Sequence, residues 1–296
     1  GGIGVAARHL VLRADGRDRD LARAHERFRG GFVLKWSRFG YDGRGNLVVH
    51  DEADPGPAAV REFCGRAIAR GAVVYAERKV DFAAELAMVG ARDADGRLVC
   101  FPLVESRQER GVCRETRGPA TALGFDPALD DAARATLAAV GEALELRGAF
   151  AIEFFLDPDG RLLANEMAPR VHNTGHFTLF GDEPSQFDLH VQAVVGRPLA
   201  TPHASAGITV MRNVLGPWDI APGAPCAMPR IAPPGGAQLT WYGKSAAFAG
   251  RKLGHVTGRA ADAAAADALL DDLAAWEARY WRDHARGEPE VLSRGR

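Results

Sequence analysis

Apolar and polar positions along this chain switch between two periods, and each switch marks the edge of an element. After a short strand, a helix is predicted around Asp18 to Phe28. The runs FVLKW (32–36), LVV (47–49) and VVYAE (73–77) read as strands, and Pro57 to Ala69 reads as a second helix. Glu85 to Arg92 and Arg97 to Val104 follow as two strands joined by Asp93-Ala94-Asp95-Gly96, a hairpin signal. A helix over Asp130 to Leu146 leads straight into FAIEFFL, a DPDG turn and RLLANE. Ser185 to Val195 is predicted helical, a Pro-rich region comes next, and strands are expected at Ile208 to Asn213 and Gln238 to Trp241. The last element, Ala261 to His284, carries Leu269, Leu270, Leu273, Trp276 and Tyr280 on one stripe, which is a packing face. Strands outnumber helices and several adjoin through hairpins, so the fold class is α+β, with largely antiparallel sheets and flanking helices.

Composition narrows the function without choosing it. With 296 residues the chain is one large domain or two joined ones. Lys plus Arg total 37 against 38 Asp plus Glu, a net charge of -1, which offers no basic surface for nucleic acid. The four cysteines, Cys64, Cys100, Cys113 and Cys226, have no metal-type spacing and read as reduced thiols. No apolar run is long enough to cross a bilayer and no signal pattern opens the chain, so a cytoplasmic protein with no membrane partner is expected. No internal repeat is present.

The stretch Phe150 to His176 concentrates the chemistry. Pro158 and Gly160 suit a tight turn, so the two runs beside it form a hairpin with Glu153 on one arm and Glu166 on the other. With a loop of Asp157 to Gly160, Leu156 pairs with Arg161 and Glu153 with Ala164, and Glu166 lies one diagonal step away on the same face, together with Phe155. Two carboxylates side by side repel unless a divalent cation lies between them, and magnesium held by one or two carboxylates plus phosphates is the usual arrangement in ATP-using enzymes. An odd-numbered loop would reverse the face of Glu166. An exposed hairpin with scattered charge is the other reading.

Further candidates lie on either side. Lys35 interrupts a strand just before Gly40-Tyr41-Asp42-Gly43-Arg44-Gly45, and a glycine-rich loop beside an ammonium suits phosphate oxygens as well as it suits a plain hairpin turn with a snorkelling lysine. Glu77 ends one strand and Glu85 opens the next, positions fit for reading a nucleoside or for simple surface charge. Arg170, His172, Asn173 and His176 cluster after Glu166, a density that suits a small anion as well as it suits plainly exposed loop side chains. Lys244, Arg251 and Lys252 stand in glycine-relieved turns, including Gly250 to His255.

Taken together, LKWSRFGYDGRGN, FPLVES, AIEFFLDPDGRLLANEMAPRVHNTGHFT, MRNVLG and YGKSAAFAGRKLGHVT resemble the 5-(carboxyamino)imidazole ribonucleotide synthase family of ATP-grasp enzymes, in the family's order over nearly the whole chain. The resemblance implies an ATP-grasp fold, divided here as a small lid subdomain (1–77), a large subdomain with the metal site (78–200) and a C-terminal subdomain (201–296). It implies ATP and Mg²⁺ as cofactors, with aminoimidazole ribonucleotide and bicarbonate as substrates and a homodimer as the assembly. Lys35, Tyr41, Asp42, Gly43 and Gly45 would hold ATP phosphates. Glu77 to Val80 would meet adenine and Glu85 the ribose, with Phe155 and Asn165 beside the nucleotide. Glu153 and Glu166 would bind Mg²⁺. Arg170, His172 and Asn173 would approach bicarbonate or its phosphorylated product, while Tyr41, Lys244 and Arg251 would face the ribonucleotide phosphate.

The chain also departs from the family. Members begin with an N-terminal domain of about a hundred residues and a helix bearing another ATP-contacting lysine, whereas Gly2-Ile3 aligns just after both. Arg78 and Lys79 replace a Glu-Phe pair, Asp81 a Pro, and Trp36-Ser37 a small polar or basic pair. Three functions therefore compete: this ligase, an ATP-grasp ligase for another amine or carboxylate, and a nucleotide-binding subunit that does not turn over.

Overall fold

The computed structural model describes residues 9–12, 17–40, 45–51, 53–181, 184–203 and 206–285. They divide into two compact units, one drawn from Gly1–Glu85, Gln108–Val112 and Phe154–Glu166, the other from Leu86–Arg107, Cys113–Glu153 and Met167–Arg296.

In the first unit, the strands are β1 (His9–Leu12), β2 (Phe32–Trp36), β3 (Asn46–Val49) and β4 (Val74–Arg78), with helices α1 (Arg17–Arg27) and α2 (Pro57–Ile68). The strands pair antiparallel in the order β1-β4-β2-β3. Pro57 begins α2, where its missing N–H costs no helical bond. Phe32, Leu34, Trp36, Val74 and Ala76 point inward from β2 and β4, against Phe28 of the α1 end and Phe63 of α2. Period-two alternation leaves Lys35, Tyr75 and Glu77 on the other face of the same strands.

The second unit holds the body of a larger sheet. Its strands are β5 (Ala84–Arg92), β6 (Leu98–Cys100), β7 (Val104–Glu109), β8 (Val112–Gly118), β9 (Gly148–Leu156), β10 (Leu162–Ala168), β11 (Ile208–Leu215), β13 (Gln238–Trp241) and β15 (Lys252–Ala260). They run in the order β10-β9-β5-β7-β8-β11-β15-β13, with β6 on β5. The ends of β5 and β9, the β7–β8 turn and most of β10, up to Glu166, are counted with the first unit. A minor pair, β12 (Ala224–Pro225) and β14 (Ala246–Ala247), lies apart from this sheet. Helices α3 (Ala128–Ala143), α4 (Gln186–Val194) and α5 (Ala263–Ala285) complete the unit. A capping box between Ser185 and Asp188 starts α4. The α5 stripe Leu269, Leu270, Leu273 and Trp276 is buried as expected, against Ile208, Val210, Val214 and Val256. Among the described residues no helix is long and apolar enough to cross a membrane.

Three expectations are corrected. The run from Arg97 is broken: β6 stops at Cys100, and β7 begins at Val104 and pairs with β8 across a turn in which Arg110 and Gly111 both take positive φ. Their polar sequences, VESRQE and VCRETRG, hid this hairpin. Second, Gly250 to His255 is not all turn. Gly250 has φ of 69°, but β15 begins at Lys252, and Gly254 is there because a Cβ would stand 2.5 Å from the Thr240 carbonyl oxygen.

Third, the β9–β10 loop is shorter than expected. The Asp157 amide donates to the Arg161 carbonyl at 3.0 Å and the Gly160 amide to the Asp157 carbonyl at 3.0 Å, so the loop is Pro158 to Gly160 and the closing pair is Asp157 with Arg161. Gly160, at φ 78°, supplies the left-handed bulge position. The Asp157 side chain settles the choice by accepting from the amides of Asp159 and Arg161. Asp93, Asp95 and Arg97 repeat the same bonds at the β5–β6 turn. An odd loop removes the simple argument that put Glu153 and Glu166 on one face.

Candidate active site

The first unit gathers one set of polar groups on the open face of its sheet. Lys35 lies opposite Tyr75, and its Nζ meets Glu77 Oε2 at 2.6 Å, each side chain only 17% exposed. Tyr75 is raised in pKa by burial and then by the charges of Glu77 and Glu166. Glu85 is pushed up to about 7, first by burial and second by the neighbouring Glu166 carboxylate. Phe82 stacks on Phe155 with ring centroids 4.6 Å apart and planes within 9°. These groups offer a cation, an apolar plate and a carboxyl that holds its proton more tightly than an exposed glutamate does. Gly40 and Gly45 pinch the base of the glycine-rich loop, since a Cβ on Gly45 would stand 2.5 Å from the Gly40 Cα. Tyr41, Asp42 and Gly43 lie outside the described residues.

The second unit carries another set around the turn after β10. His172 caps a 3-10 helix (Asn173–Leu179), its Nδ1 facing Thr174 Oγ1 at 2.8 Å and its Nε2 3.9 Å from Glu153 Oε1. The buried Gln186 side chain grips both sides of the His172 backbone, accepting from its N–H and donating to its carbonyl, each at 2.8 Å. Gly175 makes room for that grip, because a Cβ there would stand 2.7 Å from Gln186 Oε1. Asn173 and Asn213 exchange hydrogen bonds of 2.9 and 2.6 Å. Arg170 is exposed and donates to the Val171 carbonyl.

Beyond lies a buried aromatic group. His176 stacks on His255 at 4.6 Å between centroids, and Tyr242 Oη lies 2.8 Å from His255 Nδ1. Burial, followed by Lys252, lowers His176 to about 4, and burial, followed by His176, lowers His255 to about 3. Burial also raises the Tyr242 hydroxyl. Lys244 lies over the Tyr242 ring and donates to the Lys252 carbonyl at 2.6 Å, while Arg251 lies over Phe248 and donates to the Ala246 carbonyl at 2.7 Å. Among the described residues no three His, Cys, Asp or Glu converge as a metal centre.

Residues 6–187 match the ATP-grasp domain family, and residues 209–269 match the family described as the phosphoribosylaminoimidazole carboxylase C-terminal domain. The chain belongs to the ATP-grasp family. An N5-carboxyaminoimidazole ribonucleotide synthase of Synechocystis is 36% identical over 243 residues, covering 76% of this chain and 58% of the relative. The solved structure of carboxyaminoimidazole ribonucleotide synthase from Aspergillus clavatus complexed with ATP is similar at TM-score 0.76 and 28% identity, covering 94% of this chain and 70% of that one. A second structure from that organism, in complex with ADP and 5-aminoimidazole ribonucleotide, gives TM-score 0.73 and 26% identity, covering 94% of this chain and 70% of the other. Across the curated relatives it matches here, the chain spans 40 to 59% of their length.

Within this ATP-grasp chain the structure brings Lys35, Tyr75 and Glu77 together, groups Glu85 with Glu166, and stacks Phe82 on Phe155. It brings Glu153 to His172. Val80 and Asn165 are half-buried on the first unit with no ligand-like contact of their own. Sequence reasoning passed over Asn213, Gln186 and Glu277, all buried and all hydrogen-bonded to other polar groups. Only MRNVL carried a visible signal, since an Arg-Asn pair interrupts an apolar strand.

The buried histidines make stability pH-dependent. Both have folded-state pKa values below the 6.5 of an exposed imidazole, so the unfolded chain binds more protons in acid. Their contribution is complete above pH 6.5 and is lost as pH falls towards 4, at about 1.4 kcal/mol per pH unit for each group. The urea midpoint is expected to fall between pH 7 and pH 5, and to fall less in His255→Phe. An equal fall in both proteins would place the effect elsewhere.

Proposed function

We propose that this chain carries out the ATP- and bicarbonate-dependent carboxylation of the amine of 5-aminoimidazole ribonucleotide, as a cytoplasmic enzyme of purine synthesis. One observation carries the reading. The carboxylase C-terminal match covers β11, β13, β15 and the start of α5, and it includes Asn213 on β11, His255 on β15 and Tyr242, Lys244 and Arg251 in the segment between β13 and β15. Asn213, Tyr242 and His255 among them contact the His172–His176 segment, which the ATP-grasp match supplies. A homodimer belongs to the same proposal, on the family resemblance.

The chemistry asks the residues for positioning and charge neutralisation. A bicarbonate oxygen attacks the γ-phosphorus, the bond to the bridging oxygen of ADP breaks, and carboxyphosphate forms. The exocyclic amine then attacks the carboxyl carbon, inorganic phosphate leaves, and the amine gives up a proton. Lys35 and the Gly40 to Gly45 loop hold the ATP phosphates. Glu77 to Val80, Glu85, Phe155 and Asn165 receive the nucleoside, Phe155 giving it an apolar plate already stacked on Phe82. Glu153 and Glu166 are the carboxylates that would hold magnesium, and the pressure of Glu166 on Glu85 fits a site short of positive charge. Magnesium would supply neutralisation of the phosphate oxygens. Arg170, His172 and Asn173 orient bicarbonate and its phosphorylated product. Lys244 and Arg251 leave their backbone carbonyls for the ribonucleotide phosphate, a charge-assisted exchange.

The test is phosphate release from ATP, measured on this chain and on this chain joined to the N-terminal domain of a relative. Release is expected to require both bicarbonate and aminoimidazole ribonucleotide. Release that ignores the ribonucleotide, or that answers better to another amine, would overturn the assignment.

A further inference from the structure

Strand β11 sends consecutive side chains to opposite layers. Val210, Arg212 and Val214 face α5, while Met211 and Asn213 face the 3-10 helix that begins at Asn173. Asn213 is wholly buried, directly opposite His255 in the ladder. An amide here costs free energy unless all its polar atoms are paired, and the neighbouring apolar positions show that an aliphatic side chain suits the strand. Something other than packing is gained.

The hydrogen bonds identify it. Asn213 Nδ2 donates to the Cys113 carbonyl at 2.9 Å and to Asn173 Oδ1 at 2.6 Å, and Asn213 Oδ1 accepts from Asn173 Nδ2 at 2.9 Å. A backbone carbonyl only accepts. The Cys113 carbonyl therefore decides which end of the Asn213 amide is nitrogen, and Asn213 in turn decides which end of Asn173 is nitrogen. The Asn173 amide is left in one orientation, with one N–H and one oxygen lone pair beyond the exchange. The backbone of Asn213 is held as well, since Arg114 Nη1 donates to its carbonyl at 3.0 Å and Glu277 Oε1 accepts from the Leu215 amide at 3.0 Å. On the other side, Gln186 fixes the main chain of His172, the residue before Asn173.

We propose that Asn213 is a positioning residue for the carboxylation, aligning the Asn173 amide so that it offers a hydrogen-bond donor to the bicarbonate-derived carboxylate in a fixed direction. This rests on the function proposed above. Asn213 touches no substrate; its effect passes through Asn173. An amide free to rotate presents donor or acceptor to an anion at random, and the wrong end repels it.

The test compares Asn213→Leu, which keeps the branching and the number of heavy atoms, with Asn173→Ala and the double variant, assayed in the form of the protein that shows ribonucleotide-dependent phosphate release. Asn213→Leu is expected to lower kcat by about tenfold with KM for ATP within about twofold. The double variant is expected to be no slower than Asn173→Ala alone, because both changes remove one device. A second arm is independent of the reaction: in ¹⁵N spectra the Asn173 side-chain amide protons exchange with solvent at least about tenfold faster in Asn213→Leu. Should the leucine variant not fold, Asn213→Ser, which is smaller and polar but has no amide to pair with Asn173, replaces it with the same expectations. An unchanged kcat, a loss shared equally by KM for ATP, multiplying losses in the double variant, or an unmoved Asn173 amide overturns the proposal. A wild-type protein that does not respond to the ribonucleotide defeats the proposed function instead, and the amide arm still decides whether Asn213 positions Asn173.

Discussion

Glu166→Gln is expected to cut ATP-dependent phosphate release by about a hundredfold or more while leaving the fold intact. Glu166 is exposed at the end of β10, so losing its charge removes no packing. The cost arises in the transition state, where one misplaced electrostatic partner typically loses a factor of about 10² to 10³. Two signatures separate this from a general lesion. The magnesium concentration for half-maximal rate should rise. The ionisation of Glu85 should also move to lower pH, because burial remains but the repelling carboxylate is gone. Rates across a magnesium and pH grid make the check. A variant with the wild-type magnesium dependence would remove Glu166 from the metal site.

The second large effect is on stability. Glu277, 4% exposed on α5, accepts two hydrogen bonds from Arg114, at 3.0 and 2.6 Å, one from Arg212 at 3.1 Å and one from the Leu215 amide. Arg212 also pairs with Glu115, opposite it in the β8–β11 ladder. Nearby, Arg117 pairs with Glu105 and Asp267. Glu277→Ala leaves two guanidinium groups and an amide short of their acceptor beneath a helix. Loss of one partner from a buried ion pair costs about 3 to 5 kcal/mol, far more than the pair is worth against apolar residues of the same shape. Urea unfolding should show a loss in that range, and Glu277→Gln, which keeps one acceptor, a smaller one. A loss under about 1 kcal/mol in Glu277→Ala would mean that the arginines find other partners.

What the sequence made legible followed from periodicity. The α5 stripe and the β9–β10 hairpin showed their patterns openly, as did the strand around Lys35. The polar strands β7 and β8 were hidden because their inward residues alternate with arginines and glutamates that satisfy one another across the sheet. Lys252 to His255 looked like a turn because glycine usually marks one, whereas Gly254 marks a close approach. The loop after Leu156 was misjudged by one residue, since Asp157 turns its own side chain onto the loop amides. Such bonds are local, and the repeated Asp-x-Asp-Gly-Arg pattern at 93–97 and 157–161 could have revealed them. Glu277 and Gln186 were beyond reach for a different reason, and Asn213 showed only as a polar break in an apolar strand, without its partner: each acts on a residue at least fourteen positions away, and spacing along a chain says nothing about partners across a sheet.

Strand β11 bears on how this chain can vary in length. Arg212 serves the ion cluster under α5 and Asn213 serves the amide on the opposite layer, one residue apart. Adding or deleting a single position between Ile208 and Leu215 would exchange the two, placing a guanidinium against Asn173 and an amide against Glu277. Insertions and deletions should therefore be absent from this strand in working relatives, and should collect at surface turns such as Arg110-Gly111, where no such exchange follows.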